Sequence, residues 1–410
     1  MVCRLFRLLS QPFLLITYFI CTALLSSEVL ADEFPACISE LKQRATDAGI
    51  QSNLIALLDH VEPIERVIEL DRNQPEYSQT FATYLNRRVT DGHVDRGREL
   101  LQTHAALLNR LAKEYGIPPQ YLVAFWGMET NFGNYLGKMP ILDSLATLAC
   151  DQRRSELFAR ELMIALTLVG EHDLQVDSFQ GSWAGAMGHT QFMPSVYQQY
   201  GVDGDGDGKI DLWNSIDDAL TSAAHYIQNL GWQRELRWGR EVRLPDAFDY
   251  YVSGIEQPRT LGEWRDLGVR RSNNSLLDGD DNIVAALIVP QGVEGPKFLV
   301  YENFHVILNW NTPIFYALSV GHLADRINGA GTLYQPPPTG PGLLKEKIVA
   351  IQNHLTTLGF DPGDADGRPG PATQKAIREF QRRAGLTADG FADNELLQQL
   401  QNHSLTSTTN

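Results

Sequence analysis

The stretch DGDGDGKID, at residues 203–211, is the most informative part of this 410-residue chain. Its alternating aspartates and glycines are typical of the first half of a calcium-binding EF-hand loop. The residue at the twelfth position, where an EF-hand carries a bidentate Glu, is Asn214. Asp217, about one helical turn beyond it, can supply the missing carboxylate. We therefore predict a structural Ca²⁺ site whose ligands are Asp203, Asp205, Asp207, the carbonyl of Lys209, and Asp217. The alternative is a solvated acidic turn without a metal.

Two further stretches indicate an enzyme cleft. The sequence FWGMETNFG, residues 125–133, places Glu129 alone among large apolar neighbours. Loss of hydration raises the pKa of a carboxyl group, so such a residue can stay protonated and act as a general acid. The sequence GSWAGAMGHTQFMP, residues 181–194, combines small residues with Ser182 and Gln191, which can hydrogen-bond a sugar. A structural glutamate and a packed turn without ligand are the alternatives.

Charge and the N-terminal residues restrict the class of protein. The formal net charge of −16 argues against a nucleic-acid partner, which would require clustered Lys and Arg. Residues 1–31 have a basic start, an apolar run and small residues before Asp32, as in a cleaved secretory signal. We therefore predict export to the periplasm, with an uncleaved membrane anchor as the alternative.

Two cysteines, Cys37 and Cys150, remain after removal of the predicted signal. An even pair in an exported protein is typical of a disulfide, although two buried free thiols would fit the sequence as well.

Periodicity predicts a mainly α fold of the α+β type. Apolar residues at helical spacing predict a helix over 98–115, and Pro118-Pro119 opens the next one, which carries Glu129. A further helix is predicted over 157–169, and Ser215 is expected to cap another in a capping box with Asp218. The β-rich runs 283–289 and 297–301 predict one hairpin.

Composition divides the rest of the chain. We predict a catalytic domain over 32–332, a stiff Pro/Gly linker over 333–342, a three-helix unit over 343–401 and a disordered tail over 402–410. In the three-helix unit, helices are expected over 345–358 and 372–384, with a short third helix from Ala392.

These motifs, taken together and in this order, resemble those of the lytic murein transglycosylase B family over about residues 34–330. The resemblance implies a lysozyme-like helical domain that cleaves the MurNAc–GlcNAc β-1,4 bond of peptidoglycan without water, leaving a 1,6-anhydro-MurNAc end. It implies that Glu129 is the catalytic acid and then base, and that a calcium-type ion binds the acidic loop. The residues that it implies for sugar binding are Ser182, Gln191, Asn311 and Tyr316.

The C-terminal unit is similar to three-helix peptidoglycan-binding modules. The matching residues include Asp366-Gly367, Phe380-Gln381 and Asp389-Gly390. The expected partner is therefore the glycan strand of peptidoglycan, with other cell-wall enzymes as candidate partners and a monomer as the expected state. A hydrolytic muramidase and a non-catalytic wall-binding protein are the competing functions. No cofactor is expected for the chemistry itself.

Overall fold

Helices form most of the described structure, a computed structural model that describes residues 33–72, 79–172 and 174–407. The predicted signal, residues 1–31, lies outside the described residues. The helices are 33–47 (α1), Ser52–Ile55 (α2), Glu65–Arg72 (α3), Phe81–Arg88 (α4), Asp91–Thr103 (α5), Ala105–Tyr115 (α6), Pro119–Thr130 (α7), Ile141–Ala149 (α8), Ser155–Glu171 (α9), Pro194–Tyr200 (α10), Ile216–Asn229 (α11), Leu261–Asp266 (α12), Glu302–Trp310 (α13), Ile314–Ile327 (α14), Lys345–Thr357 (α15), Pro371–Arg383 (α16) and Asn394–Ser407 (α17). The strands are Met139–Pro140 (β1), Gln180–Gly181 (β2), Gly239–Arg243 (β3), Arg259–Thr260 (β4), Arg270–Arg271 (β5), Val284–Ile288 (β6) and Lys297–Val300 (β7).

The chain forms two compact units. Of the described residues, the first unit comprises 33–72, 136–172 and 174–199, and the second comprises 79–135 and 200–407. In the first unit, α8 packs on α9, and the short strands β1 and β2 pair antiparallel. A disulfide joins Cys37 in α1 to Cys150, which follows α8, with their Cα atoms 5.9 Å apart. The predicted disulfide is therefore confirmed.

Helix α7 lies at the centre of the second unit. It packs against α5, α6, α11 and α14, and its residues 121–128 are all buried. A helix that is apolar on every face is stable only inside a core, so the sequence of α7 fixes its central position. The helix thus provides a rigid support for Glu129 in its last turn.

The predicted hairpin is confirmed, but it belongs to a larger antiparallel sheet. Strands β6 and β7 pair antiparallel in a sheet of order β4-β6-β7-β3-β5. The sequence prediction missed β3, β4 and β5. Strand β3 has the sequence Gly-Arg-Glu-Val-Arg, whose charges obscure the strand pattern, and it is held by pairing with β7 and β5. Tertiary pairing therefore overrides the low β propensity of these residues.

The single helix predicted over 98–115 is wrong, because the structure has two helices, α5 and α6, that meet at His104. The hydroxyl of Thr103 donates to the carbonyl of Glu99 at 3.0 Å, and such a bond to the preceding turn often bends a helix. The ring of His104 contacts Trp126 edge-on, with centroids 5.7 Å apart. The bend thus allows α5 and α6 to follow the surface of α7.

The C-terminal unit contains the three predicted helices, α15 to α17, around a small apolar core. The third helix extends to Ser407, so the prediction of disorder from residue 402 is wrong for residues 402–407. Within this extension, the ring of His403 contacts Phe380 at 5.3 Å, and Ser404 lies 3.1 Å from Nδ1 of His354. These contacts give the last turns of α17 a packing partner that the polar sequence does not reveal.

Contacts fix the C-terminal helices and the linker to the sheet region within the second unit. Arg378 on α16 is buried and pairs with Glu256. The carboxylate of Glu241 on β3 accepts hydrogen bonds from the backbone N–H groups of Tyr334 and Gln335, at 2.7 and 2.8 Å. The start of the Pro/Gly linker is therefore anchored to β3.

A buried histidine on α14 gives a testable pH dependence. Burial lowers the pKa of His322 from its ordinary value of 6.5 to about 4. Between these pH values the unfolded chain binds a proton that the folded chain does not, so stability falls as pH drops from 6.5 to 4. We expect His322 to account for a loss of about 3 kcal/mol in unfolding free energy over this window.

Urea unfolding at several pH values checks this prediction. A His322→Gln variant should lose most of the difference between pH 6.5 and pH 4, whereas a matched His305→Gln variant should keep it. An unchanged pH dependence in His322→Gln would refute the assignment.

Candidate active site

The end of α7 places Glu129 in a constrained backbone segment. Pro119 occupies the first turn, as predicted, and the helix ends at Thr130, followed by the C-cap residue Asn131, which has φ 51°. Phe132 follows with φ 58°, so two successive non-glycine residues adopt the left-handed conformation. A side chain at Gly127 would lie 2.6 Å from the Phe132 ring, so the glycine allows that ring to fold back on the helix. Strained residues of this kind often occur at functional sites, because the surrounding structure must hold them.

Glu129 is half-buried and accepts two hydrogen bonds on the same oxygen. The indole Nε1 of Trp310 donates to Oε1 of Glu129 at 2.8 Å, and the hydroxyl of Tyr316 donates to the same atom. Both donors come from segments about 180 residues further along the chain, the end of α13 and the start of α14. The structure therefore brings the predicted residues Glu129 and Tyr316 into direct contact.

Tyr316 remains a hydrogen-bond donor over the physiological pH range. Burial raises its pKa well above the ordinary value of 10, and the nearby carboxylate of Glu129 adds to the effect. The sequence prediction assigned Tyr316 to sugar binding only, whereas the structure shows that it contacts the carboxylate.

Trp310, which donates a hydrogen bond to Glu129, was not among the site residues predicted from the sequence. Its ring packs on Phe125 with centroids 4.7 Å apart and on Tyr226 at 5.3 Å. These contacts fix the indole so that its N–H points to Glu129. The signal that could have identified it is its place in the sequence NWN, residues 309–311, where the predicted Asn311 follows it directly. Asn311 is half-buried and extended, with φ −150°, immediately after α13.

The Gly-rich segment belongs to the first unit and holds Ser182 in a tight turn. Oγ of Ser182 accepts the N–H groups of Ala184 and Ala186, at 3.2 and 3.0 Å. A hydroxyl oxygen that already accepts two bonds has its own proton left to donate. A side chain at Gly181 would lie 2.2 Å from the carbonyl oxygen of Ala186, so only glycine fits there.

Gln191 lies in the same segment, at the tip of a narrow backbone hairpin. Met187 and Phe192 exchange backbone hydrogen bonds of 2.8 and 3.0 Å. Gln191 itself has φ 51°, and its side-chain amide donates to the carbonyls of Gly188 and Leu136, at 3.0 and 3.2 Å. These bonds orient the amide through its NH₂ group, and the left-handed backbone marks the residue as a constrained position.

The acidic loop adopts a compact, glycine-dependent turn before α11. The carboxylate of Asp203 accepts the N–H groups of Gly206 and Gly208, at 2.6 and 2.8 Å. Asp207 accepts the N–H of Lys209 at 2.8 Å, and Oδ2 of Asp205 accepts the Ser215 hydroxyl at 3.1 Å. Four of the five predicted ligands, Asp203, Asp205, Asp207 and Lys209, thus lie in one tight turn, whereas Asp217 lies in the first turn of α11.

Asp218 takes a different role from the one predicted. Ser215 caps α11 by accepting the N–H of Asp218 at 3.1 Å, which confirms half of the predicted capping box. The Asp218 carboxylate, however, turns into the loop and accepts the N–H groups of Gly204 and Asp211, at 2.8 and 2.7 Å. Oδ1 of Asp217 lies 3.8 Å from Nη2 of Arg110. The role of Asp217 as a metal ligand stays a prediction.

The donor chemistry of the loop suits a hard cation. One carboxylate oxygen from each of Asp203, Asp205 and Asp218 lies within 4.8 Å of the others. Three negative charges at this separation repel each other, and a divalent cation between them would remove that repulsion. The available ligands are all oxygen atoms, which Ca²⁺ prefers.

Comparison with known proteins identifies the family. A family model described as Transglycosylase SLT domain matches residues 33–325. The chain belongs to this family. It is accordingly a lytic transglycosylase, a lyase acting on peptidoglycan. Residues 345–400 match a second model, described as a putative peptidoglycan binding domain.

Individual members of the SLT transglycosylase family support this assignment. The chain is 30% identical over 299 residues to membrane-bound lytic murein transglycosylase B of Escherichia coli K12, covering 68% of this chain and 78% of the relative. The crystal structure of SltB3 from Pseudomonas aeruginosa in complex with NAG-anhNAM-pentapeptide is similar, with a TM-score of 0.85 and 38% identity, covering 90% of this chain and 99% of that one. Escherichia coli Slt35 in complex with calcium matches with a TM-score of 0.62 and 28% identity over 71% of this chain and 92% of its own. The mainly helical, lysozyme-like fold class is therefore confirmed.

No helix among the residues that the structure describes is long and apolar enough to cross a membrane.

Proposed function

We propose that this lytic transglycosylase cleaves the MurNAc–GlcNAc β-1,4 bond with Glu129 as its single acid and base. The observation that supports this most strongly is the half-buried Glu129 carboxylate, held by Trp310 and Tyr316 at the end of a rigid helix. In the first step, protonated Glu129 donates to the glycosidic oxygen. The N-acetyl group of MurNAc stabilises the positive charge that develops on the sugar.

The second step closes the anhydro ring. The carboxylate of Glu129 accepts the proton of the C6 hydroxyl of MurNAc, and the C6 oxygen bonds to C1 of the same sugar. An intramolecular nucleophile has a very high effective concentration, so neither an activated water nor a second carboxylate is needed. Glu129 ends the cycle protonated and ready for the next strand.

The two hydrogen bonds on Oε1 determine which oxygen reacts. Trp310 can only donate, so Oε1 accepts from two groups and the exchangeable proton belongs on Oε2 of Glu129. Hydrogen bonds to the ionised form stabilise it, whereas burial and the C-terminal end of α7 disfavour it. This balance allows Glu129 to release and recover a proton within one cycle.

Trp310→Phe tests the balance. The change removes one hydrogen bond to the carboxylate and keeps an aromatic ring against Phe125, so we expect kcat to fall about tenfold to a hundredfold. The alkaline limb of the pH–rate profile should move to higher pH, because the ionised form loses a stabilising donor.

The pH profile distinguishes this role from simple packing. A matched Trp213→Phe variant, which changes a tryptophan in the acidic loop, should leave the alkaline limb where it is. If Trp310→Phe lowers kcat without moving that limb, the hydrogen bond does not control the ionisation of Glu129.

We propose further that Ser182, Gln191 and Asn311 bind the sugars of the glycan strand. The support is chemical: Ser182 has a hydroxyl proton available, and Gln191 and Asn311 carry side-chain amides, of which that of Gln191 stands on a left-handed backbone. We also propose that residues 345–400 bind peptidoglycan, and that the predicted bounds of the catalytic domain, residues 32–332, and of the linker, residues 333–342, hold. Export through a cleaved signal to the periplasm fits a peptidoglycan substrate. Action as a monomer, alongside other cell-wall enzymes, stays a prediction.

The acidic loop, residues 203–211, is proposed to hold Ca²⁺ through Asp203, Asp205, Asp207, the Lys209 carbonyl and Asp217. Asp218 supports the loop by accepting the N–H groups of Gly204 and Asp211. The ion would hold the loop together, with no part in bond cleavage. At a Ca²⁺ concentration about 100 times its Kd, we expect the unfolding free energy to rise by about 2.7 kcal/mol.

Thermal unfolding with and without a calcium chelator checks the metal site. Asp203→Asn should abolish most of the calcium-dependent stabilisation, and Asp246→Asn, an exposed aspartate elsewhere, should retain it. Equal stabilisation of both variants would mean that calcium binds elsewhere.

Analysis of products from purified peptidoglycan tests the proposed reaction. Mass spectrometry should find anhydro-MurNAc ends, lighter by one water than hydrolytic ends. Reducing MurNAc ends would indicate a hydrolytic muramidase, and an absence of any soluble product would indicate a non-catalytic wall-binding protein.

A further inference from the structure

The last turn of α7 leaves backbone carbonyl groups that need hydrogen-bond partners, as at the end of any helix. The carbonyl of Gly127 accepts the N–H of Asn131 at 3.0 Å. The next carbonyl, that of Met128, accepts a hydrogen bond from Nη1 of Arg88 on α4, at 3.3 Å. Met128 directly precedes Glu129 in the chain. Arg88 therefore brings a guanidinium group to the end of the helix that carries the proposed acid.

Arg88 also lies over an aromatic ring that adjoins the second part of the site. Its guanidinium carbon lies 5.6 Å from the centroid of the Tyr84 ring, and Tyr84 is buried one turn earlier on the same helix. The Tyr84 ring contacts that of Phe315, with centroids 6.4 Å apart. Phe315 directly precedes Tyr316, which donates to Glu129. Through Tyr84, Arg88 is thus connected to the start of α14 as well as to the end of α7.

The charge of Arg88 reaches the pair formed by Glu129 and Tyr316. Burial, the Glu129 carboxylate and Tyr84 raise the pKa of Tyr316, and the positive charge of Arg88 acts in the opposite direction. A positive charge favours the ionised form of a nearby carboxyl group. It also opposes the partial negative charge at the C-terminal end of a helix, where Glu129 lies. The position of Arg88 therefore favours the carboxylate form of Glu129.

The neighbouring elements bring other titratable groups to this end of α7. Among the described residues, these include His93 of α5, His104 between α5 and α6, and Tyr226 of α11, whose rings contact Phe132, Trp126 and Trp310. Burial and the charge of Arg88 lower the pKa of His93 from 6.5, so His93 is uncharged at neutral pH. Burial raises the pKa of Tyr226 above 10, so this group is uncharged as well. Of Arg88, His93 and Tyr226, Arg88 therefore carries the positive charge at neutral pH.

We propose that Arg88 is a positioning residue for the cleavage reaction, an inference that rests on the proposed function. Arg88 holds the last turn of α7 through the Met128 carbonyl and places a positive charge beside Glu129 and Tyr316. That charge stabilises the carboxylate that forms when Glu129 gives its proton to the glycosidic oxygen. Because the side chain of Arg88 is exposed, water and salt screen its charge, and the effect is smaller than that of a direct hydrogen bond.

Arg88→Met tests this role, because it removes the charge and keeps an unbranched side chain over Tyr84. We expect kcat to fall about threefold to tenfold with little change in KM. Without the positive charge Glu129 stays protonated to higher pH, so the alkaline limb of the pH–rate profile should move up by about 0.5 pH units. Arg88→Lys keeps the charge and should return the limb to its wild-type position. Arg87→Met, an exposed neighbour on α4, is the matched control and should leave kcat and the limb unchanged.

A direct titration separates this inference from the proposed reaction. NMR of protein labelled with ¹³C at its glutamate carboxyl groups can follow Glu129, whose signal is identified by its loss in Glu129→Gln. The proposal requires the pKa of Glu129 to be higher in Arg88→Met than in the wild type, whether or not the wild type gives anhydro products. The difference should narrow as salt is added, because the charge of Arg88 is then screened. An equal pKa in the two proteins, or a shift as large in Arg88→Lys as in Arg88→Met, would overturn it.

Discussion

Replacement of Glu129 by Gln is expected to lower the rate of glycan cleavage by about a thousandfold or more. One general acid–base group contributes about 10²–10⁴ in rate, and here the same carboxyl group serves both steps. Gln keeps the shape of the side chain and can still accept from Trp310 and Tyr316. The unfolding free energy should therefore change little while activity disappears.

Turnover of purified peptidoglycan, measured by release of soluble fragments, checks this result. A matched Glu302→Gln variant, which changes an exposed glutamate at the start of α13, should keep the wild-type rate. Peptidoglycan binding should also survive in Glu129→Gln. Release of anhydro fragments at the normal rate by Glu129→Gln would show that another group is the acid.

Removal of the disulfide is expected to give the largest loss of stability. Cys37 and Cys150 are separated by 113 positions in the sequence, and closing a loop of that length restricts the unfolded chain strongly. We expect the double variant Cys37→Ser/Cys150→Ser to lose about 4 kcal/mol of unfolding free energy. The effect should be confined to the first unit, where both cysteines lie.

Denaturant unfolding with and without a reducing agent provides the control. Reductant should weaken the wild type to the level of the double variant and leave the double variant unchanged. If the wild type unfolds at the same urea concentration with and without reductant, the disulfide does not stabilise the protein.

Local sequence patterns predicted the parts of this protein that local physics determines. Pro119 and a fully apolar run were sufficient to place the helix that carries Glu129. The turn residues between β6 and β7 indicated the hairpin, and the two cysteines that follow the predicted signal indicated the disulfide. In each case a few residues close together in the sequence, or of one distinctive type, were sufficient to predict the local structure.

The features that escaped prediction depend on contacts across long stretches of chain. The bond from Trp310 to Glu129 joins residues 181 positions apart, and no local spacing encodes it. Strand β3 carries charges and exists through pairing with its neighbours. The last turns of α17 look disordered from their polar composition, but Phe380 and His354 provide packing partners.

The most direct test of the central claim is turnover of peptidoglycan in water enriched in heavy oxygen. If Glu129 closes the sugar ring with the C6 oxygen of MurNAc, the released ends contain no oxygen from the solvent. We expect mass spectrometry to find anhydro ends without the heavy isotope, and their amount to match the number of bonds cleaved. Heavy oxygen at C1 of the MurNAc ends would show that water is the nucleophile and would contradict the account.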